Sequence, residues 1–127
     1  MKKVLKEINN IIKRLKEHPK VVAVYIFGSY AKGYKNINSD IDIAVIMKDI
    51  SFEDEAEIGS MYSKKIDLVL FHKLPLYIQF EVLKYGKEIF VKDEEYLKEI
   101  KFKVLREYHE MQRYYQMMKE SILNENT

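Results

Sequence analysis

The stretch FGSYAKGYKNINSDIDIAV, Phe27 to Val45, joins a Gly28-Ser29 turn to a pair of aspartates, Asp40 and Asp42, separated by one isoleucine. On an extended strand, side chains at i and i+2 project from the same face, about 7 Å apart. Two like charges that close repel, and each loses hydration beside a buried sheet. A divalent cation relieves both penalties, and Mg²⁺ favours a few carboxylates together with phosphate oxygens. Asp67, in the apolar run KIDLVLF (65–71), offers a third carboxylate from a neighbouring strand. Three carboxylates on two strands can bridge two cations through an in-line phosphoryl displacement.

The Gly-Ser turn supplies the complementary half. Gly28 lacks a Cβ, so the backbone can turn sharply and admit a phosphate. The amides of Gly28 and Ser29, with the Ser29 hydroxyl, can hold phosphate oxygens at the start of a short helix. Lys32, one turn on, is placed to reach the same oxygens, and Gly33 again relaxes the backbone. A strand followed by Gly-Ser is by itself a common loop, and Asp-x-Asp after Ser39 by itself suits a capped turn entering a strand. At this spacing, and with Asp67, the features together point to a nucleotide site.

These residues need a scaffold, and the flanking pattern supplies one. Val4, Leu5, Ile8, Ile11, Ile12 and Leu15 recur at three- and four-residue steps, which predicts an amphipathic helix over 2–17. Pro19 ends it, because the residue before a proline is pushed from the helical region. VVAVYIF (21–27) reads as a central buried strand. DIDIAVIM (40–47) reads as a second, with Ile41 and Ile43 on one face and Asp40 and Asp42 on the other. An acidic, moderately helical segment follows over 51–63, then a third strand over 65–71. Pro75 suits the first turn of a helix through about Lys84, and GKEIFVKD (86–93) reads as a short edge strand.

From Asp93 onward the pattern is helical. Leu97, Ile100, Val104, Tyr108, Met111, Tyr115, Met118 and Ile122 form one stripe, and Asp93 to Glu95 suit the positive end of the helix dipole. No repeat, low-complexity stretch or linker interrupts the chain. Residues 1–127 therefore read as one small α/β (α+β) domain with a mixed sheet flanked by helices.

Composition narrows the function classes. The 127 residues are 47% hydrophobic, enough for one core, and 33% charged with a formal net charge of +2. So small an excess argues against a protein that coats DNA. Basic residues concentrate at the start (Lys2, Lys3, Lys6, Lys13, Arg14, Lys16, Lys20), where a solvated helix face is expected. The absence of cysteine excludes disulfides, thiolate metal sites and cysteine nucleophiles. No apolar run reaches the roughly 20 residues that span a bilayer, and no signal-peptide stretch is present, so a cytoplasmic protein without a membrane partner is expected.

The run GSYAKGYKNINSDIDI resembles the Gly-Ser, ten residues, Asp-x-Asp signature of the nucleotidyltransferase superfamily that includes polymerase beta-like enzymes, with Asp67 at its third acidic strand position. The chain looks most similar to the minimal nucleotidyltransferases (MNT), antitoxins encoded beside HEPN-domain toxins. EIFVKDEEYLKEIKFKVLREYHEMQRYY (88–115) resembles their edge strand and C-terminal helix, so the resemblance covers nearly the whole length. It implies a polymerase beta-like fold with a long C-terminal helix. It also implies transfer of AMP from ATP to a tyrosine of the partner HEPN RNase. Asp40 and Asp42 would hold two Mg²⁺ ions, Asp67 would bind the second ion and help deprotonate the tyrosine, and Gly28, Ser29 and Lys32 would grip the triphosphate. Lys32 stands where many relatives carry arginine; the charge is kept without the bidentate fork. No nucleobase-recognition element is evident.

Two rival functions remain open at this level. One is an antitoxin that neutralises by binding alone; the other is transfer to a small molecule or RNA end, for which no acceptor-binding domain is available. A direct nucleic-acid substrate is not expected, and assembly is either with further copies or with the toxin. His18, His72 and His109 lack metal-ligand spacing and suit surface or capping roles. Arg106 and His109 are too close for the Arg-x4–6-His motif of HEPN nucleases, so the chain is not itself the nuclease. Most tyrosines suit core or interface packing, and the Tyr/Met-rich surface of the last helix is more than a small sheet buries with ease.

Overall fold

In the computed structural model, which describes residues 2–28, 41–61 and 63–125, the first helix α1 (Lys2–Glu17) leads into β1 (Val21–Phe27), the β-branched and aromatic run. β2 (Ile41–Met47), α2 (Phe52–Gly59) and β3 (Ile66–Leu70) follow. A 3₁₀ turn (Phe71–Lys73), α3 (Leu76–Tyr85), β4 (Lys87–Val91) and α4 (Glu94–Glu125) complete the described chain. The expected elements are therefore present, with boundaries displaced by a residue or two except at α2, which ends at Gly59, four residues short of the expected 63. Phe71 ends β3 by entering the 3₁₀ turn, and Pro75 stands just before α3 rather than inside it.

The strands form one four-stranded sheet in the order β3-β2-β1-β4. β1 runs antiparallel to both β2 and β4, whereas β2 and β3 are parallel. The parallel pair requires a crossover, and α2 makes it. GKEIFVKD does supply an edge strand, shortened to five residues by the bends on either side.

Strand alternation sorts side chains between two layers. Val24, Ile26, Ile41, Ile43 and Val45 face α1 and α2, meeting Ile8, Ile11, Leu15 and Ile58. Val22, Ala23, Tyr25, Ala44 and Ile46 face α3 and α4, meeting Val82, Leu97 and Val104. β1, and β2 beyond Asp42, are buried on both faces, which is why VVAVYI and IAVIM lack the polar alternation of a half-exposed strand. α2 is set by a reciprocal cap: Ser51 Oγ accepts from Asp54 N–H while Asp54 Oδ2 accepts from Ser51 N–H. α4 begins on Asp93, whose carboxylate accepts from Tyr96 N–H at 3.0 Å.

Candidate active site

Asp42 lies one residue into β2, and two registers converge on it. Across the antiparallel pair it faces Phe27, the last residue of β1; across the parallel pair it sits beside Asp67. The start of β2 is clamped to β3 by the Ile41 N–H, which donates to Lys65 O at 2.8 Å. Neighbouring strands are about 4.8 Å apart, so two aspartates in register on adjacent strands place their carboxylates side by side. Both belong to the α3/α4 face of the sheet, by alternation with Ala44 and with Val69. Asp42 is half-buried and Asp67 exposed, so the pair opens to solvent at the end of the sheet.

Gly28 closes the site from the β1 side. Its φ is +80°, in the region that favours glycine, and a Cβ there would lie 2.5 Å from Asp42 Oδ2. The glycine is thus required twice, by backbone conformation and by direct approach to the carboxylate. The turn after β1 and the carboxylate of β2 are one packed unit. Ser29, Lys32 and Asp40 lie outside the described residues. The predicted site residues that are described, Gly28, Asp42 and Asp67, are brought together at the same end of the sheet.

Carboxylates aligned in this way fit a hard divalent cation. The exposure of Asp67 leaves an open rim with room for phosphate oxygens beside the carboxylates.

A second group of titratable side chains lies at the opposite end of the sheet. His18 was expected at the surface or on a helix cap; instead it is 4% exposed and sits between α1 and α2. Its Nδ1 accepts from Lys20 N–H, which leaves the proton on Nε2, facing Glu57 Oε2 at 3.1 Å and Asp54 Oδ1 at 3.6 Å. Lys20 Nζ donates to Asp54 Oδ2 at 2.7 Å. That bond, with the Ser51 N–H, pulls the Asp54 carboxyl down to about 2. Although His18, Asp54 and Glu57 are close enough to share a cation, the Nε2 proton and the lysine already occupy the ligand positions. The cluster is an ion-pair clasp holding α2 against the start of β1. The sequence hid it because Lys20 and Asp54 are 34 residues apart.

Residues 9–95 match the family described as Polymerase beta, Nucleotidyltransferase. The chain belongs to this family. The match takes in Gly28, Asp42 and Asp67, and it ends at the start of α4. The chain is 34% identical over 87 residues to the protein adenylyltransferase MntA of Shewanella oneidensis, a match covering 64% of this chain and 63% of that protein. Among solved structures it resembles a chain of a toxin–antitoxin crystallised with AMP-PNP, with TM-score 0.66 and 26% identity over 90% of this chain and 97% of that one. It also resembles a chain of the tri-AMPylated Shewanella oneidensis HEPN toxin in complex with MNT antitoxin, with TM-score 0.65 and 25% identity over 94% and 98% of the two chains. These likenesses extend over most of the described fold, including elements beyond the family match.

Proposed function

We propose that this polymerase beta-type nucleotidyltransferase is an MNT antitoxin that transfers AMP from ATP to a tyrosine of a HEPN RNase toxin and thereby neutralises it. The observation that carries the reading is the packing of the Gly28 backbone against the Asp42 carboxylate with Asp67 in register beside it. That arrangement gives one end of the sheet both a phosphate-accepting turn and an anionic metal-binding edge. The similarity to MntA of Shewanella oneidensis and to a chain of an MNT antitoxin–HEPN toxin complex supports the acceptor.

In this reading residues 1–127 act as one domain. Gly28 and Ser29 hold the triphosphate with Lys32, and Asp40, Asp42 and Asp67 are the ligands for two Mg²⁺ ions. When bound, Mg²⁺ offsets the clustered carboxylate charge and stabilises the charge that develops on the attacking and leaving oxygens. The phenolic oxygen of the acceptor tyrosine forms a bond to the α-phosphorus. The bond from that phosphorus to the bridging oxygen breaks, and its electron pair leaves with pyrophosphate. The phenolic proton passes to Asp67, whose exposure lets a macromolecular acceptor approach it. No helix among the described residues is long and apolar enough to cross a membrane, and the proposed setting is the cytoplasm, where ATP is supplied.

The test is the intact mass of the HEPN protein after incubation with this chain, ATP and Mg²⁺. Addition of adenylyl groups, lost with Asp42→Asn, is expected. An unmodified HEPN protein that is still held and inhibited would overturn transfer in favour of neutralisation by binding alone, the reading that the exposed apolar half of α4 favours.

A further inference from the structure

α4 is 32 residues long, and only its first part is used by its own domain. Leu97 and Val104 are buried against the sheet, and Tyr108 lies flat on Phe80 of α3, with ring centroids 3.9 Å apart and planes 4° from parallel. Past Tyr108 the same stripe continues, yet Tyr115, Met118 and Ile122 are 62%, 43% and 53% exposed. The direction of the helix is marked by its contacts. Lys48, at the end of β2 remote from Asp42, reaches the Tyr96 ring; Lys101 then approaches Glu88, which is paired with Tyr25 in mid-sheet. α4 therefore runs towards the Gly28 end. At 1.5 Å per residue it advances about 21 Å from Glu94 to Tyr108, close to the length of β1, so the rest extends about 25 Å past the candidate active site.

We infer that residues 108–125 of α4 form an arm that docks a helix of the acceptor protein and holds that protein at the nucleotide. The inference rests on the transferase reading for the identity of the acceptor, but its own evidence is separate. The apolar positions recur with a seven-residue period: Leu97, Val104, Met111 and Met118 in one row, Tyr108, Tyr115 and Ile122 in the other. The sheet covers this spacing at Leu97 and Val104, and beyond Tyr108 the same 3.5-residue period, which suits a helix packed against another helix, continues past the sheet. Tyrosine and methionine are among the residues enriched where protein interfaces are buried, and here the seam is flanked by Gln112 and Lys119 on one side and Tyr114 on the other. Gln112 donates to the Tyr108 hydroxyl, so this flank of the seam is held before a partner arrives. The arm also leaves the domain on the side where the acceptor hydroxyl must meet Asp42 and Asp67.

The experiment uses the full chain and the triple variant Tyr115→Ser/Met118→Ser/Ile122→Ser, whose positions are exposed and not needed for folding. Four quantities are measured: solution mass by light scattering, affinity for the HEPN protein by calorimetry, single-turnover transfer, and ATP affinity. The expected result is a monomeric free chain and a variant with unchanged ATP affinity. Acceptor binding should weaken about 100-fold, as for loss of a cluster of interface anchors, while the turnover rate is recovered at high acceptor concentration. The single variant Met118→Leu, which keeps the apolar volume, should bind the acceptor as the wild type does. Wild-type acceptor affinity in the triple variant would overturn the inference. So would a free chain that is dimeric and becomes monomeric in the variant, because a second copy would then occupy the seam. If arm-dependent binding is observed but no adenylyl group is transferred, the docking surface stands and the transferase reading falls.

Discussion

Replacing Gly28 by alanine separates a site built around one close approach from an ordinary loop glycine. At φ +80° an L-residue is strained by about 1–2 kcal/mol. The added Cβ would also lie 2.5 Å from Asp42 Oδ2, against an ordinary carbon–oxygen contact of about 3.3 Å, so the carboxylate must retreat by about 0.8 Å. Asp42 is paired on both sides within the sheet, so the backbone cannot absorb that movement and the side chain must rotate. A displacement near 1 Å at a reacting centre is worth about a hundredfold in rate. Gly28→Ala should therefore lower adenylyl transfer about 100-fold and reduce the melting temperature by only about 3–8 °C. Gly59→Ala is the matched control: no atom lies within 4 Å of a Cβ built there and the residue closes α2, so activity should be kept with stability unchanged or raised by a few tenths of a kcal/mol. Transfer would be followed by intact mass and unfolding by circular dichroism. A Gly28→Ala protein with wild-type rate would refute the claim that this contact sets the position of Asp42.

Two other perturbations probe the scaffold. Asp54 has a folded-state pKa of about 2, depressed below its ordinary 3.8 by the Lys20 hydrogen bond and then by Ser51, so its stabilising contribution is complete above the ordinary value and disappears as the pH falls towards 2. The difference in melting temperature between wild type and Asp54→Asn should accordingly be constant above pH 5 and close between about pH 4 and 2; a gap independent of pH would remove the clasp as its cause. Tyr25 is buried and donates to Glu88 at 3.0 Å, and burial followed by that bond raises its pKa well above the usual phenol value. Its protonated form is favoured by folding, so it should add to the loss of stability as the pH rises above 10, and Tyr25→Phe should cost about 1 kcal/mol near neutrality while flattening that alkaline limb in urea titrations.

Much of this fold is legible in local pattern. The β-branched run of β1, the proline after α1 and the alternation of isoleucine with aspartate in β2 act over a few residues. They decide that Ile41 and Ile43 enter the core while Asp42 faces the other way. The Gly28 break and the stripe of α4 are local in the same sense: each depends on backbone conformation or helical period, not on distant partners. What tertiary structure decided is which distant groups meet. Asp67 could serve the site only if β3 lay beside β2 and parallel to it. That depends on α2 crossing between them, because a one-residue slip in register would turn Asp67 to the opposite face. The contact between Gly28 and Asp42 depends on the pairing of β1 with β2, and the burial of His18 on the packing of α2. The length of the sheet sets where α4 ceases to be covered. Periodicity assigns a face to each residue; only the packed topology assigns its neighbour, because contact across a sheet is a property of register and not of sequence spacing.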